Sequence, residues 1–225
     1  MSLKDIISNP KLLDEWIKRE KEGYERYCEM HPNSLLPKFK QELVELGFSY
    51  EYPNQALSFM PKHKKIIIPI AIKYYQEAKV QNIENEQLFF LGFFQYKGLN
   101  ELVPMLLKEY HSHEISDHVR WSISDCLYTI RNAQYANEYL DIIQNPIYGS
   151  DRQMIVLLIG KLRFENAIPC LIELLEDESV RLHAICALGD FKREEFRPHF
   201  ERFANDKHPG WRKYAKIALK KLSDN

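Results

Sequence analysis

Four arginines, Arg120, Arg152, Arg181 and Arg212, recur at intervals of 32, 29 and 31 residues. Four guanidinium groups in a line could bind successive phosphates. They could equally tie neighbouring units together through the turn acids Asp117, Asp177 and Asp206, and the expectation is that they mainly do the latter. Beside the first of them, Trp121 and Asp125 lie four residues apart and therefore on one face of one helix. His111, His113, Glu114, Asp117 and His118 crowd into one turn, and imidazole and carboxylate are competent metal ligands. Nothing in that spacing fixes a geometry, so a polar exposed turn is expected, with no metal and no cofactor. Cys28, Cys126, Cys170 and Cys186 match neither a zinc spacing nor a small disulfide scaffold and read as core or half-buried thiols. There is no Gly-rich phosphate loop, no GxSxG and no Cys/His nucleophile arrangement.

The elements that position these residues are helical. Seven residues after each ladder arginine come Leu127, Ile159, Leu188 and Leu219, each within a helical apolar pattern. A period near 30 residues with two amphipathic helices per unit is the signature of a stacked array. The clearest unit is NAIPCLIELLEDESVRLHAICALGDF. Ile168, Leu171, Leu174 and Leu175 share one face of its first helix, and Val180, Ala184, Ala187, Leu188 and Phe191 share one face of its second. Pro169 falls in a first turn, where a missing N–H costs nothing.

This pattern, AIPxLxxLLxD followed by VRxxAxxALG, resembles the HEAT repeat. Further units contribute Pro198, Asp206 and Arg212; Pro104, Asp117 and Arg120; and Arg152 with Ile159–Gly160, the last without a proline. A more distant unit supplies Pro69 and Leu91–Gly92, but its arginine position holds Glu84. The resemblance implies an all-α, right-handed α-α superhelix, a HEAT-like solenoid of about five repeats. Repeats over 61–225 would form one continuous domain, the regular pattern running from about 66 to 222, with residues 1–60 as an N-terminal helical cap. In that cap Asn9–Pro10 opens a helix with Leu12, Leu13, Trp16 and Ile17 inward, and a second helix ends at Gly47. The chain also resembles a group of small bacterial HEAT-repeat proteins.

HEAT-like stacks line their concave wall with second helices, so the stripe opposite the core is where binding is expected. Rotating by 100° per residue puts Leu182, Cys186, Gly189 and Arg193 there in the clearest unit. The same offsets give Asn85, Phe89, Gly92 and Tyr96, then Trp121, Asp125, Tyr128 and Asn132. They continue with Gln153, Leu157, Gly160 and Phe164, and end on Lys213, Ile217 and Lys220. Phe89, Tyr96, Trp121, Asp125, Tyr128 and Phe164 are the candidate contacts for a protein or peptide, because aromatic rings bury large area at low entropy cost.

Trp121 and Asp125, with arginines in the following units, also loosely resemble the aromatic, Asp and Arg constellation of HEAT-like alkylpurine DNA glycosylases. That resemblance implies nucleic-acid binding or base excision as the alternative function, with Lys213, Lys216 and Lys220 on the backbone phosphates. The WSISD and GSDRQ segments do not reproduce that family's motifs.

Composition sets the remaining bounds. The chain has 225 residues, is 45% hydrophobic and 28% charged, and its net charge of −1 hides an asymmetry. Residues 192–222 hold ten Lys or Arg against four Asp or Glu, about +6, which leaves about −7 elsewhere. A basic end suits phosphates, yet terminal repeats are polar because they cap a stack. The longest apolar runs are seven residues, too short to span a bilayer, and the first residues lack the apolar core of a signal peptide. A non-catalytic cytoplasmic scaffold or adaptor, with no membrane partner, is the reading that results.

Overall fold

The computed structural model describes residues 8–223, in which there are twelve α-helices and no strands. The chain divides into two compact units, one ending at Phe93 and the other beginning at Phe94. The fold is all-α and HEAT-like.

In the first unit the helices are α1 (Pro10–Met30), α2 (Leu36–Glu45), α3 (Met60–Val80) and α4 (Glu84–Leu91). The expected start of α1 is present: Asn9 Oδ1 accepts from the N–H groups of Lys11 and Leu12 at 3.1 and 3.4 Å, with Pro10 in the first turn. Residues 12, 13, 16, 17, 20, 23, 24, 27 and 28 of α1 are half-buried and none is fully buried. The helix therefore lies along its unit by one stripe. α2 ends as expected at Gly47, whose φ of +89° suits a residue without a Cβ. There the N–H groups of Gly47 and Phe48 close onto the carbonyls of Val44 and Leu43 at 2.9 and 3.0 Å, which satisfies the last turn. The core centres on Phe39, whose ring meets those of Tyr74, Phe90 and Phe93 edge-on at 5.2–5.5 Å.

One expectation fails here. Pro69 does not open a helix; it lies inside α3, which starts at Met60 and bends at His63. The polar stretch before it, PKHKK, already belongs to α3 and contains the bend.

The second unit stacks four helix pairs. They are α5 (Val103–Tyr110) with α6 (Asp117–Ile130), and α7 (Ala136–Gln144) with α8 (Gln153–Leu162). The others are α9 (Ile168–Glu173) with α10 (Arg181–Phe191), and α11 (Arg197–Ala204) with α12 (Pro209–Ser223). Pro104, Pro169 and Pro198 each stand in the first turn of a first helix, as the repeat pattern requires. Each second helix packs on its own first helix and on the second helix of the next pair: α6 on α8, α8 on α10, α10 on α12. Small residues permit the last two contacts. A Cβ on Gly160 would lie 2.4 Å from Ala187 Cα, and one on Gly189 would lie 3.0 Å from Ala218 Cβ. Gly160 and Gly189 are buried and turned toward the neighbouring helix, a correction to their placement on an open stripe.

α6, α8 and α10 end alike, on Arg131, Arg163 and Lys192, each left-handed with φ of 50–57°. Each stands eleven residues after its ladder arginine, so the repeat register extends to the backbone conformation of the cap.

Candidate functional site

The ladder arginines are engaged within the second unit. Each folds back to carbonyls at the end of its own pair's first helix or in the segment that follows it, and three of them also reach forward. Arg120 donates to the carbonyls of Tyr110 and Ser112, and its Nε lies 3.4 Å from Asp151 Oδ2. Arg152 donates to the carbonyls of Ile143 and Gly149 at 2.8 and 3.0 Å and to Asp177 Oδ2 at 2.5 Å. Arg181 donates to the carbonyls of Leu175 and Glu176, and its guanidinium stacks 4.2 Å from the centre of the Trp211 ring. Arg212 donates to the carbonyls of Asp206 and Lys207.

Of the three expected turn acids, only Asp177 supplies a carboxylate to a ladder arginine. Asp151 pairs with Arg120 where Asp117 was expected, and Asp206 offers Arg212 its carbonyl while its carboxylate caps His208 N–H. Burial, with Asp117 adding to it against the pull of Arg120, raises Asp151 to about 6. Asp177 goes the other way: against burial, Ser179 and Arg152 hold it below its ordinary value.

Within the second unit the predicted contact residues differ in their settings. Trp121, at the start of the second turn of α6, is 41% exposed, and Asp125 one turn on is half-buried, its carboxyl pKa raised by burial. Tyr128 is half-buried with the Arg131 guanidinium 5.0 Å over its ring. Tyr96 and Phe164 are corrections: both lie beyond the ends of their helices, Tyr96 in the loop after the 3-10 turn Gly92–Phe94 and Phe164 after left-handed Arg163. Constant rotation along a helix cannot locate a residue once the helix has stopped. Phe89 belongs to the first unit, where its ring packs edge-on to Phe39, Phe90 and Phe93. Lys213, Lys216 and Lys220 are exposed on α12, with Lys213 Nζ 5.6 Å over the Tyr214 ring. Among the described residues no group of three His, Cys, Asp or Glu side chains could hold a metal ion; His111 Nδ1 instead shares a hydrogen bond of 2.8 Å with Tyr148 Oη.

What the second unit does present is a hollow of about 300 Å³ crossing its second helices. Tyr128, Leu157, Leu182, Cys186, Tyr214 and Ile217 form its apolar wall. Along one side Asp190 is clamped by Lys161 Nζ at 2.8 Å and Lys221 Nζ at 2.6 Å. Against the cost of burial these two ammonium groups hold Asp190 below its ordinary value. His183, also lining the hollow, is pushed down by burial to about 4 and is neutral near pH 7. Burial likewise raises the Cys186 thiol to about 11, which keeps it protonated. The site offers apolar area, one neutral imidazole and an excess of one positive charge. These groups suit binding; neither Trp121 nor Asp125 lines the hollow.

Lys161, His183, Asp190, Tyr214 and Lys221 were missed by sequence reasoning. A signal existed in the i, i+4, i+8 rows 153–157–161, 182–186–190 and 213–217–221. A final step of three residues leads instead to the helix contacts Gly160 and Gly189 and to outlying Lys220.

Residues 140–220 match the sequence model of the HEAT repeats, α-helical repeats that serve in general as protein-interaction scaffolds. No curated protein and no solved structure matches the chain. No helix among the described residues is long and apolar enough to cross a membrane.

Proposed function

Because residues 140–220 of this chain are HEAT repeats, we propose that the protein is a non-catalytic adaptor whose second-helix groove holds a peptide segment of a partner protein. The observation that carries the reading is the composition of that groove. Tyr128, Leu157, Tyr214 and Ile217 provide apolar area beside Lys161 and Lys221, which share a single carboxylate. Ile217, 40% exposed, is an unspent apolar contact in its wall. The fitting partner is a segment with an apolar anchor next to Asp or Glu, which takes over one ammonium group from Asp190 while the anchor displaces water.

The alternative, nucleic-acid binding or base excision through Lys213, Lys216 and Lys220, has less support. The arginines of the basic end are already engaged: Arg193 with Glu165, Arg197 with Glu194, Arg202 with Glu176.

Selection from a displayed random-peptide library tests the proposal. Enrichment of apolar-acidic peptides, with binding lost in Ile217→Asp and weakened in Lys221→Glu while circular dichroism stays unchanged, is the expected result. If no enriched peptide depends on these residues, the groove is not the binding site. Retention on duplex DNA that falls steeply with salt and vanishes on changing the three lysines would instead establish the nucleic-acid reading.

A further inference from the structure

The first unit holds a separate hollow of about 270 Å³ between one face of α1 and residues of α2, α4 and the 3-10 turn Pro53–Phe59. We infer that this hollow is a binding site for a small organic cation of the alkylammonium class, held between the Tyr24, Tyr27 and Tyr52 rings and the Glu86 carboxylate.

Glu86 is the first observation. It is 1% exposed, yet its partners are neutral: Ser34 Oγ and Tyr27 Oη donate to Oε1 at 2.6 and 3.2 Å, and Leu35 N–H donates to Oε2 at 2.9 Å. Among the described residues no lysine, arginine or histidine is ion-paired with it. A carboxylate offers about four acceptor positions, so three donors leave room for one more. Buried charges are ordinarily met by an opposite charge, and here the opposite charge is missing. Lys40, the nearby cation, is directed elsewhere: its Nζ donates to the Glu51 carbonyl at 2.9 Å. That same Nζ sits 5.6 Å from the Tyr24 ring centre, so this ring already attracts an ammonium group.

Gly23 is the second, independent observation. It lies inside α1, where glycine weakens a helix relative to alanine. No close approach requires it, since a Cβ there would meet nothing within 4 Å. It does line the hollow, and a side chain at 23 would have open space before it. The glycine keeps the cavity open at the expense of the helix. Glu20 adds a second carboxylate to the wall against the single guanidinium of Arg19, so the charge of the lining also favours a cation.

Choline and 3,3-dimethyl-1-butanol differ only in N⁺ against C, which makes them a matched pair for calorimetric titration of the full chain. Choline is expected to bind and the alcohol to bind at least about tenfold more weakly, the cation–π and charge contributions being confined to the former. Glu86→Gln keeps acceptor and donor positions for Ser34, Leu35 and Tyr27 and should weaken choline by about tenfold or more. Gly23→Leu fills the hollow without touching Glu86; it should abolish binding while leaving the unfolding transition at or above that of the wild type. Equal affinity for the two probes, no binding of choline, or choline binding that survives Gly23→Leu would each overturn the inference. The peptide groove of the second unit is unaffected by either variant, so the two proposals stand or fall separately.

Discussion

The contact between Gly160 and Ala187 yields a prediction with a built-in calibration. Three glycines occupy helix interiors in different surroundings: a Cβ would lie 2.4 Å from the Ala187 backbone at Gly160, 3.0 Å from the Ala218 methyl at Gly189, and in open space at Gly23. Replacing any of them by alanine gains up to about 1 kcal/mol of helix propensity. At position 23 nothing opposes that gain, so Gly23→Ala should stabilise its unit by about 0.5–1 kcal/mol. At 189 a shift of a few tenths of an ångström is needed, and the two effects should nearly cancel. At 160 the obstacle is main chain, which cannot rotate away, so α8 and α10 must separate by about 1 Å in a region packed near crystal density. Overpacking costs about 1–3 kcal/mol; a main-chain obstacle belongs in the upper part of that range, about 2–3 kcal/mol, and subtracting the propensity gain of about 1 kcal/mol leaves a net loss of about 1–2 kcal/mol.

Urea unfolding followed by far-ultraviolet circular dichroism measures this. With a slope near 2 kcal/mol per molar, the Gly160→Ala midpoint should fall by roughly 0.5–1 M. Adding Ala187→Gly should restore only part of it, because the nearest atom is Cα and not Cβ. A Gly160→Ala protein as stable as the wild type, or full rescue by Ala187→Gly, would refute the claim that backbone contact sets the spacing of these helices.

Two further outcomes follow from buried charges. Arg152 is 2% exposed and holds the carbonyls of Ile143 and Gly149 together with Asp177; Arg152→Ala should cost about 3 kcal/mol, and Arg152→Lys should recover little because an ammonium lacks the planar fork, which thermal unfolding of the pair would show. Asp151 and His183 oppose one another in pH dependence. Asp151, at about 6 when folded, binds its proton more tightly in the native state, so its contribution is full below about pH 4 and lost as pH rises through 6. His183, at about 4, is protonated more readily when unfolded, so stability is lost as pH falls from 6.5 toward 4. Asp151→Asn should therefore steepen the loss of stability on acidification and His183→Gln should flatten it, read from urea midpoints between pH 4 and 7; identical profiles for both variants would exclude these assignments.

The helical repeat was legible because it is written in local chemistry. Prolines at 104, 169 and 198, small residues at 184 and 187, and an arginine every 29–32 residues each have one structural reason to be where they are. The forward partners of the arginines were legible only in part. Asp151 and Trp211 stand immediately before the next ladder arginine, but one is a carboxylate and the other an indole, so no single residue type marks the position; what they share is that both meet a guanidinium. The site was less accessible still. A helical stripe of fixed rotation mixes residues that line the hollow, such as Leu157 and Cys186, with glycines that face the next helix, and only tertiary packing separates them. Glu86 carried no signal at all, since its partners lie 51–59 residues away.

The forward reach of the arginines gives the second unit a direction. Arg120 leans on Asp151, Arg152 on Asp177 and Arg181 on Trp211, each toward the C-terminal neighbour. Melting the last helix pair would strip Arg181 of the indole that covers it, and melting the pair before that would strand Arg152 and leave its guanidinium without a carboxylate. Loss from the other end strands an acid instead, Asp151, whose raised pKa lets it accept a proton and become neutral. Arginine has no such escape. Fraying from the C-terminal side is thus penalised at every step, whereas fraying from the N-terminal side can be relieved by protonation, and the order in which the pairs unfold should change with pH.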